Sequence, residues 1–98
     1  MNEAVEETFW TIDSEVNDNV EASRYEISVD GQVAFLEYER RPHSIVLVHT
    51  EVPPLLRGYG IAGILAKFAL EAARAAKLRV IAPCPFVKAY IEKHHWVP

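Results

Sequence analysis

The stretch of this 98-residue chain that bears most directly on chemistry is Val52-Pro53-Pro54-Leu55-Leu56-Arg57-Gly58-Tyr59-Gly60-Ile61-Ala62-Gly63. Three glycines in six residues permit backbone dihedrals closed to other residues and let a ligand approach the main chain. An apolar helical run follows at once. The first turn of a helix carries N–H groups without internal partners, at the positive end of its dipole. Strand, glycine-rich turn and helix start together make a cradle for a phosphate. No Lys-Ser or Lys-Thr follows the glycines, so this is not a P-loop.

Three side chains nearby have reactive chemistry. His49 and Glu51 share one face of a strand, because side chains alternate with period two. Either is suited to take a proton from a reacting group, directly or through water. Their bland readings are a core histidine bonded to a carbonyl and an exposed loop-edge acid. Cys84 precedes Pro85, a residue suited to a first helical position, so Cys84 would cap that helix. A thiol at a helix N-terminus has a lowered pKa. The alternative is a small buried hydrophobe. His94-His95 is the one metal-like pair, but neighbouring histidines on a helix point apart and no third ligand stands out. No metal is expected.

The elements that must position these groups can be read in order. Residues 1–22 are acidic and lack sustained periodicity, which suggests a tail or a loosely attached segment. Phe9, Trp10 and Ile12 within it would dock on the domain or on a second copy. Residues 23–98 read as one domain. Tyr25, Ile27 and Val29 alternate with polar residues as in a strand with one buried face. Asp30-Gly31 signals a hairpin turn. The return strand, Gln32 to Arg40, places Ala34, Leu36 and Tyr38 on one face and Val33, Phe35 and Glu37 on the other. Ile45-Val46-Leu47-Val48 reads as a central strand covered on both sides. A helix is expected from Gly60 to about Ala76, with Lys67, Glu71 and Arg74 as its narrow polar stripe. A short strand, Arg79 to Ala82, and a last helix from Pro85 follow. The expected fold is α+β: a mixed, largely antiparallel sheet with two main helices, containing a right-handed strand–helix–strand crossover.

Bulk composition narrows the function. Half the residues are apolar and a quarter charged, as in a soluble domain with a single core. Residues 1–30 hold nine acids against one base, and residues 31–98 five acids against nine bases. The basic part is the part with the anion cradle, yet it is too modest and scattered for a nucleic-acid footprint. No apolar run approaches a membrane span, and the acidic N-terminus lacks the basic start of a signal peptide. One cysteine cannot form an internal disulfide, so a cytoplasmic setting is expected.

The loop resembles the acyl-CoA pyrophosphate loop of the GCN5-related N-acetyltransferases, Arg/Gln-x-x-Gly-x-Gly/Ala, here Arg57-x-x-Gly60-x-Ala62. The lead-in Val-x-Pro-x-x-Arg-Gly is matched by Val52, Pro54, Arg57 and Gly58. From about Arg24 to His94 the chain resembles a small branch of that superfamily, with His49-Thr50-Glu51-Val52-Pro53, then the loop, then Pro83-Cys84-Pro85. The resemblance implies acetyl-CoA as cofactor and an amine as acceptor. The pyrophosphate would lie on main-chain N–H groups from about Leu56 to Gly63. Val52, Pro53, Leu56, Arg57, Gly58, Tyr59, Gly60, Ile61, Ala62 and Gly63 would then line the cofactor. The pantetheine arm would fill a gap between His49–Pro53 and Val80–Cys84, with Cys84 beside the thioester. Cys84 would protonate the leaving thiolate or accept the acetyl group first. Many relatives carry a tyrosine acid in the run Tyr-Glu-Lys-x-Gly-Phe. Here Ile91 takes that place, which leaves Tyr90 as a packing or cofactor-wall residue, and the glycine of the run is missing too. Larger relatives insert two helices where Asp30-Gly31 joins the strands directly, so the acceptor side should be open to a protein side chain, a terminus or a small amine. The competing expectation is a CoA-binding sensor or interaction module without turnover.

Overall fold

The computed structural model describes residues 16–96. Strands β1 (Asn17–Asn19), β2 (Arg24–Val29), β3 (Gln32–Arg40) and β4 (Ser44–Glu51) lie side by side in sequence order, each antiparallel to the last. A 3-10 turn at Pro54–Leu56 leads into helix α1 (Ile61–Ala75). The chain then returns as β5 (Arg79–Ile81), parallel to β4, and ends in helix α2 (Pro85–Lys93). The architecture is the expected α+β sheet with two helices.

Local sequence accounts for the joints. Asp30 and Gly31 both have positive φ, 51° and 79°, as the tight two-residue hairpin between β2 and β3 demands. Pro85 takes the first position of α2, and Cys84 occupies its N-cap position as expected. The Cys84 side chain makes no capping bond, however.

The core lies on one face of the sheet. Tyr25, Ile27, Ala34, Leu36, Tyr38, Ile45 and Leu47 are buried against Ile61, Ile64, Leu65, Ala69, Leu70 and Ala73 of α1. A helix of this length is marginal alone in water, so burial of this apolar stripe stabilises it. Val87 of α2 closes the same core beside Cys84.

Two expectations need correction. Order starts before Arg24, since β1 already pairs with β2 inside the segment read as a tail or a loosely attached segment. Its Asp18 accepts a hydrogen bond from the Tyr38 hydroxyl at 2.6 Å, which a periodicity search over three polar residues cannot see. Phe9, Trp10 and Ile12 lie outside the described residues. Nor is β4 covered evenly on both sides. Val46 is buried, but Val48 is 40% exposed, at a break in the β3–β4 register.

Candidate functional site

On β4 the pairing with β3 slips by one residue. Tyr38 faces Leu47 and Glu37 faces His49, so Val48 is an extra residue on β4, a β-bulge. A bulge bends its strand and increases the local twist. It also resets which face each later side chain takes. Leu47 is buried in the core, whereas His49 and Glu51 emerge on the opposite face and Thr50 turns inward opposite the buried Leu36.

The same bend separates β4 from β5. Their paired residues end at Val46 and Ile81, and one further bond joins them, from the Cys84 amide to the Leu47 carbonyl at 3.3 Å. From His49 onward the main chain of β4 bonds to β3 alone among the described residues. The strand edge facing Cys84 is therefore open from His49 to Glu51.

Beyond β4 the 3-10 turn brings Arg57 back. Its Nε donates to the Val52 carbonyl at 3.0 Å, clamping the base of the loop. Gly58 and Gly60 then take φ of 88° and 75°, values that favour glycine, and Gly60 is the N-cap of α1. The first intrahelical bond runs from the Ile64 amide to the Gly60 carbonyl. The main-chain N–H groups of Gly58, Tyr59, Gly60, Ile61, Ala62 and Gly63 have no partner among the described residues. They sit at the positive end of α1, an arrangement that suits an anion.

These elements enclose two adjoining hollows. One, of about 230 Å³, is lined by Val52, Leu56, Arg57, Gly58, Gly60 to Gly63 and Phe86. The other, of about 350 Å³, is lined by Thr50, Glu51, Val52, Arg57, Ala62 and Phe86. Val52, Arg57, Ala62 and Phe86 belong to both, so one cleft runs from the glycine loop to Thr50 and Glu51.

The reactive side chains divide between the cleft's end and the sheet's outer face. His49 Nε2 and Glu51 Oε1 are 2.8 Å apart, both about half exposed, with the Phe35 ring edge-on to His49 at 6.3 Å. His49 is not a core histidine. Cys84 is only 3% exposed, and its Sγ lies 3.4 Å from Thr50 Oγ1. Cys84 lines neither hollow; Thr50 lines the second. Tyr90 lies under the helix start, where a Cβ added to Gly63 would sit 3.8 Å from its ring, and it stacks on His94 at 4.1 Å. Tyr59 is largely exposed and Pro53 half-buried, and neither lines the cleft. Sequence reasoning missed Thr50 and Phe86. The bulge that turns Thr50 inward leaves no period in the sequence, and Phe86, beside the buried Val87 at the start of α2, belongs to no motif that would mark it as a 41% exposed cleft residue.

Gly58, Gly60 and Gly63 also have the letter spacing of the dinucleotide fingerprint Gly-x-Gly-x-x-Gly. Its context is absent: prolines and a 3-10 turn separate the glycines from β4, the sheet is mainly antiparallel, and no acid ends β5. The family model described as GCN5-related N-acetyl-transferase matches residues 24–97. The chain belongs to this family. No curated protein matches the sequence. Within the GCN5-related fold seen here, the bulged β4, the parted β5 and the glycine loop are contiguous parts of one cleft. Among the described residues, no helix is long and apolar enough to cross a membrane and no three His, Cys, Asp or Glu side chains gather around a metal position.

Proposed function

We propose that this protein transfers an acetyl group from acetyl-CoA to an amine. The observation that carries the reading is the run of unengaged amides from Gly58 to Gly63, opening into the cleft that reaches Thr50 and Glu51. Those amides would hold the diphosphate, with Arg57 beside them. The pantetheine arm would lie along the open edge of β4, which brings the thioester to Thr50 with Cys84 behind it.

Amide formation then needs a neutral amine close to the acyl carbon. The His49–Glu51 pair takes the ammonium proton, with Glu51 orienting the ring. The amine nitrogen forms its bond to the acyl carbon, the carbon–sulfur bond breaks, and the departing thiolate takes up the second proton, which the nitrogen sheds as the amide forms. Glu37, opposite His49 in the sheet, adds negative charge on that face and favours a cationic acceptor. The direct Asp30-Gly31 hairpin leaves the acceptor side without inserted helices, which suits a protein side chain or terminus, or a loosely held small amine.

Calorimetric titration with acetyl-CoA, joined to a CoA-release assay over amines and lysine peptides, tests the reading. Binding with amine-dependent release is expected, and His49→Gln should lower kcat by about 100-fold, the scale of general base catalysis. Binding without release from any amine would instead make the protein a CoA sensor. Absence of binding would end the proposal.

A further inference from the structure

Thr50 stands between the cleft and the thiol. Its hydroxyl is 3.4 Å from Cys84 Sγ, it lines the cleft's inner end, and Cys84 is 3% exposed and lines no part of it. The bulge at Val48 is what turns Thr50 to this position, opposite Leu36 on the core face. The Cys84 main chain is held as well, by its amide bond to Leu47 and by its carbonyl, which accepts from the Lys88 amide at 3.0 Å. Thr50 is thus the cleft-lining side chain that stands against the thiol.

We propose that Thr50 is a specificity-determining residue that shields Cys84 from the acyl carbon, so that the acetyl group goes to the amine directly. A cysteine this close to a thioester would otherwise exchange with it. In that exchange the Cys84 sulfur bonds the acyl carbon, the carbon–sulfur bond to CoA breaks, and the Cys84 proton passes to the released CoA thiolate. One thioester replaces another, so nothing in the energetics opposes it. Only access does. The barrier is steric, so the isosteric valine should replace threonine.

The proposal rests on the acetyl-CoA reading for one arm of its test and is independent of it in the other. In the first arm, the aromatic disulfide DTNB reports access to Cys84 in the folded protein without cofactor. Thr50→Ala should react at least about tenfold faster than the parent, while Thr50→Val should match the parent. In the second arm, each protein is incubated with acetyl-CoA and its intact mass measured. Thr50→Ala should gain one acetyl group that Thr50→Ala/Cys84→Ala does not, and the parent should gain none. Thr50→Ser, which keeps the strand's polar character, serves as a second opened variant should the alanine variant unfold. Fast DTNB reaction of the parent, or folded opened variants no faster than the parent, would overturn the shield. So would acetylation of the parent at Cys84. If acetyl-CoA fails to bind at all, the cofactor reading falls and the DTNB comparison still decides the role of Thr50.

Discussion

Leu47 and His49 are two residues apart on one strand, yet their side chains lie on opposite faces of the sheet. Leu47 is fully buried opposite Tyr38, and His49 is half exposed opposite Glu37. Strict alternation would have put both in the core. The extra residue, Val48, spares the core a histidine and an acid, whose unpaired burial would cost several kcal/mol.

Deleting Val48 separates the bend from the side-chain faces. Tyr38 would still meet Leu47 and Glu37 would still meet His49, now in regular register. What would vanish is the local bend that parts β4 from β5. The deletion should therefore fold, keep the His49–Glu51 pair on the outer face, and bind acetyl-CoA at least about tenfold more weakly, a loss of about 1.4 kcal/mol. Titration calorimetry beside circular dichroism checks it. Unchanged affinity in a folded deletion would show that the parted strands are not the binding gap.

Gly60 tests the loop. Its φ of 75° is costly for a residue with a Cβ, by about 1–2 kcal/mol, although a Cβ there would meet no atom within 4 Å. The penalty is thus in the backbone and not in collision. Gly60→Val should relieve it by rotating the peptide that joins Gly60 to Ile61, and so misdirect the amides that face the cleft. CoA binding should be lost with most of the fold retained. Gly60→Asn, which tolerates this region better, should bind with intermediate affinity.

Alkaline pH should destabilise the β1 edge. Burial raises the Tyr38 pKa above its ordinary value, and the hydrogen bond to Asp18 raises it further. Tyr25 shifts the same way, chiefly through burial and then through the Asp18 charge. A raised folded pKa means the stability is fully present below the unfolded value, about 10, and is lost as pH climbs toward the folded one. Chemical unfolding should show a plateau to about pH 9 and a falling limb above pH 10. Tyr38→Phe should lower stability by about 1 kcal/mol at neutral pH and flatten that limb. A limb as steep as the parent's would assign the alkaline loss elsewhere.

What the sequence revealed, and what it hid, follows from the range of each interaction. The hairpin at Asp30-Gly31, the two helix starts and the glycine cradle are local, fixed by dihedrals that few residues tolerate, so they are legible. The Val48 bulge is a relation between β4 and β3, invisible to periodicity, and with it went the inward turn of Thr50. β1 was missed because three polar residues carry no hydrophobic pattern, and its tie to Tyr38 spans 20 residues. Whether β4 was covered on both faces depended on what packs there, which an apolar run alone cannot state.

The absent glycine near the C-terminus has a measurable consequence. His95, where the family's run places glycine, takes φ of 51°, with its amide bonded to the Glu92 carbonyl and that of Trp96 to the Ile91 carbonyl. Lys77 repeats the pattern after α1, with φ of 58° and with amide bonds from Lys77 to Arg74 and from Leu78 to Ala73. Both helices therefore end in the motif that glycine favours, with a side chain strained at its left-handed position. Relief of that strain outweighs glycine's greater unfolded-state entropy, so Lys77→Gly and His95→Gly should each stabilise by about 0.5–1 kcal/mol. For a domain this size that is a rise of roughly 2–8 °C in Tm. Ala76→Gly, at φ −88°, is the control and should lower Tm. Equal responses at positions 76 and 77 would mean that the left-handed caps carry no strain.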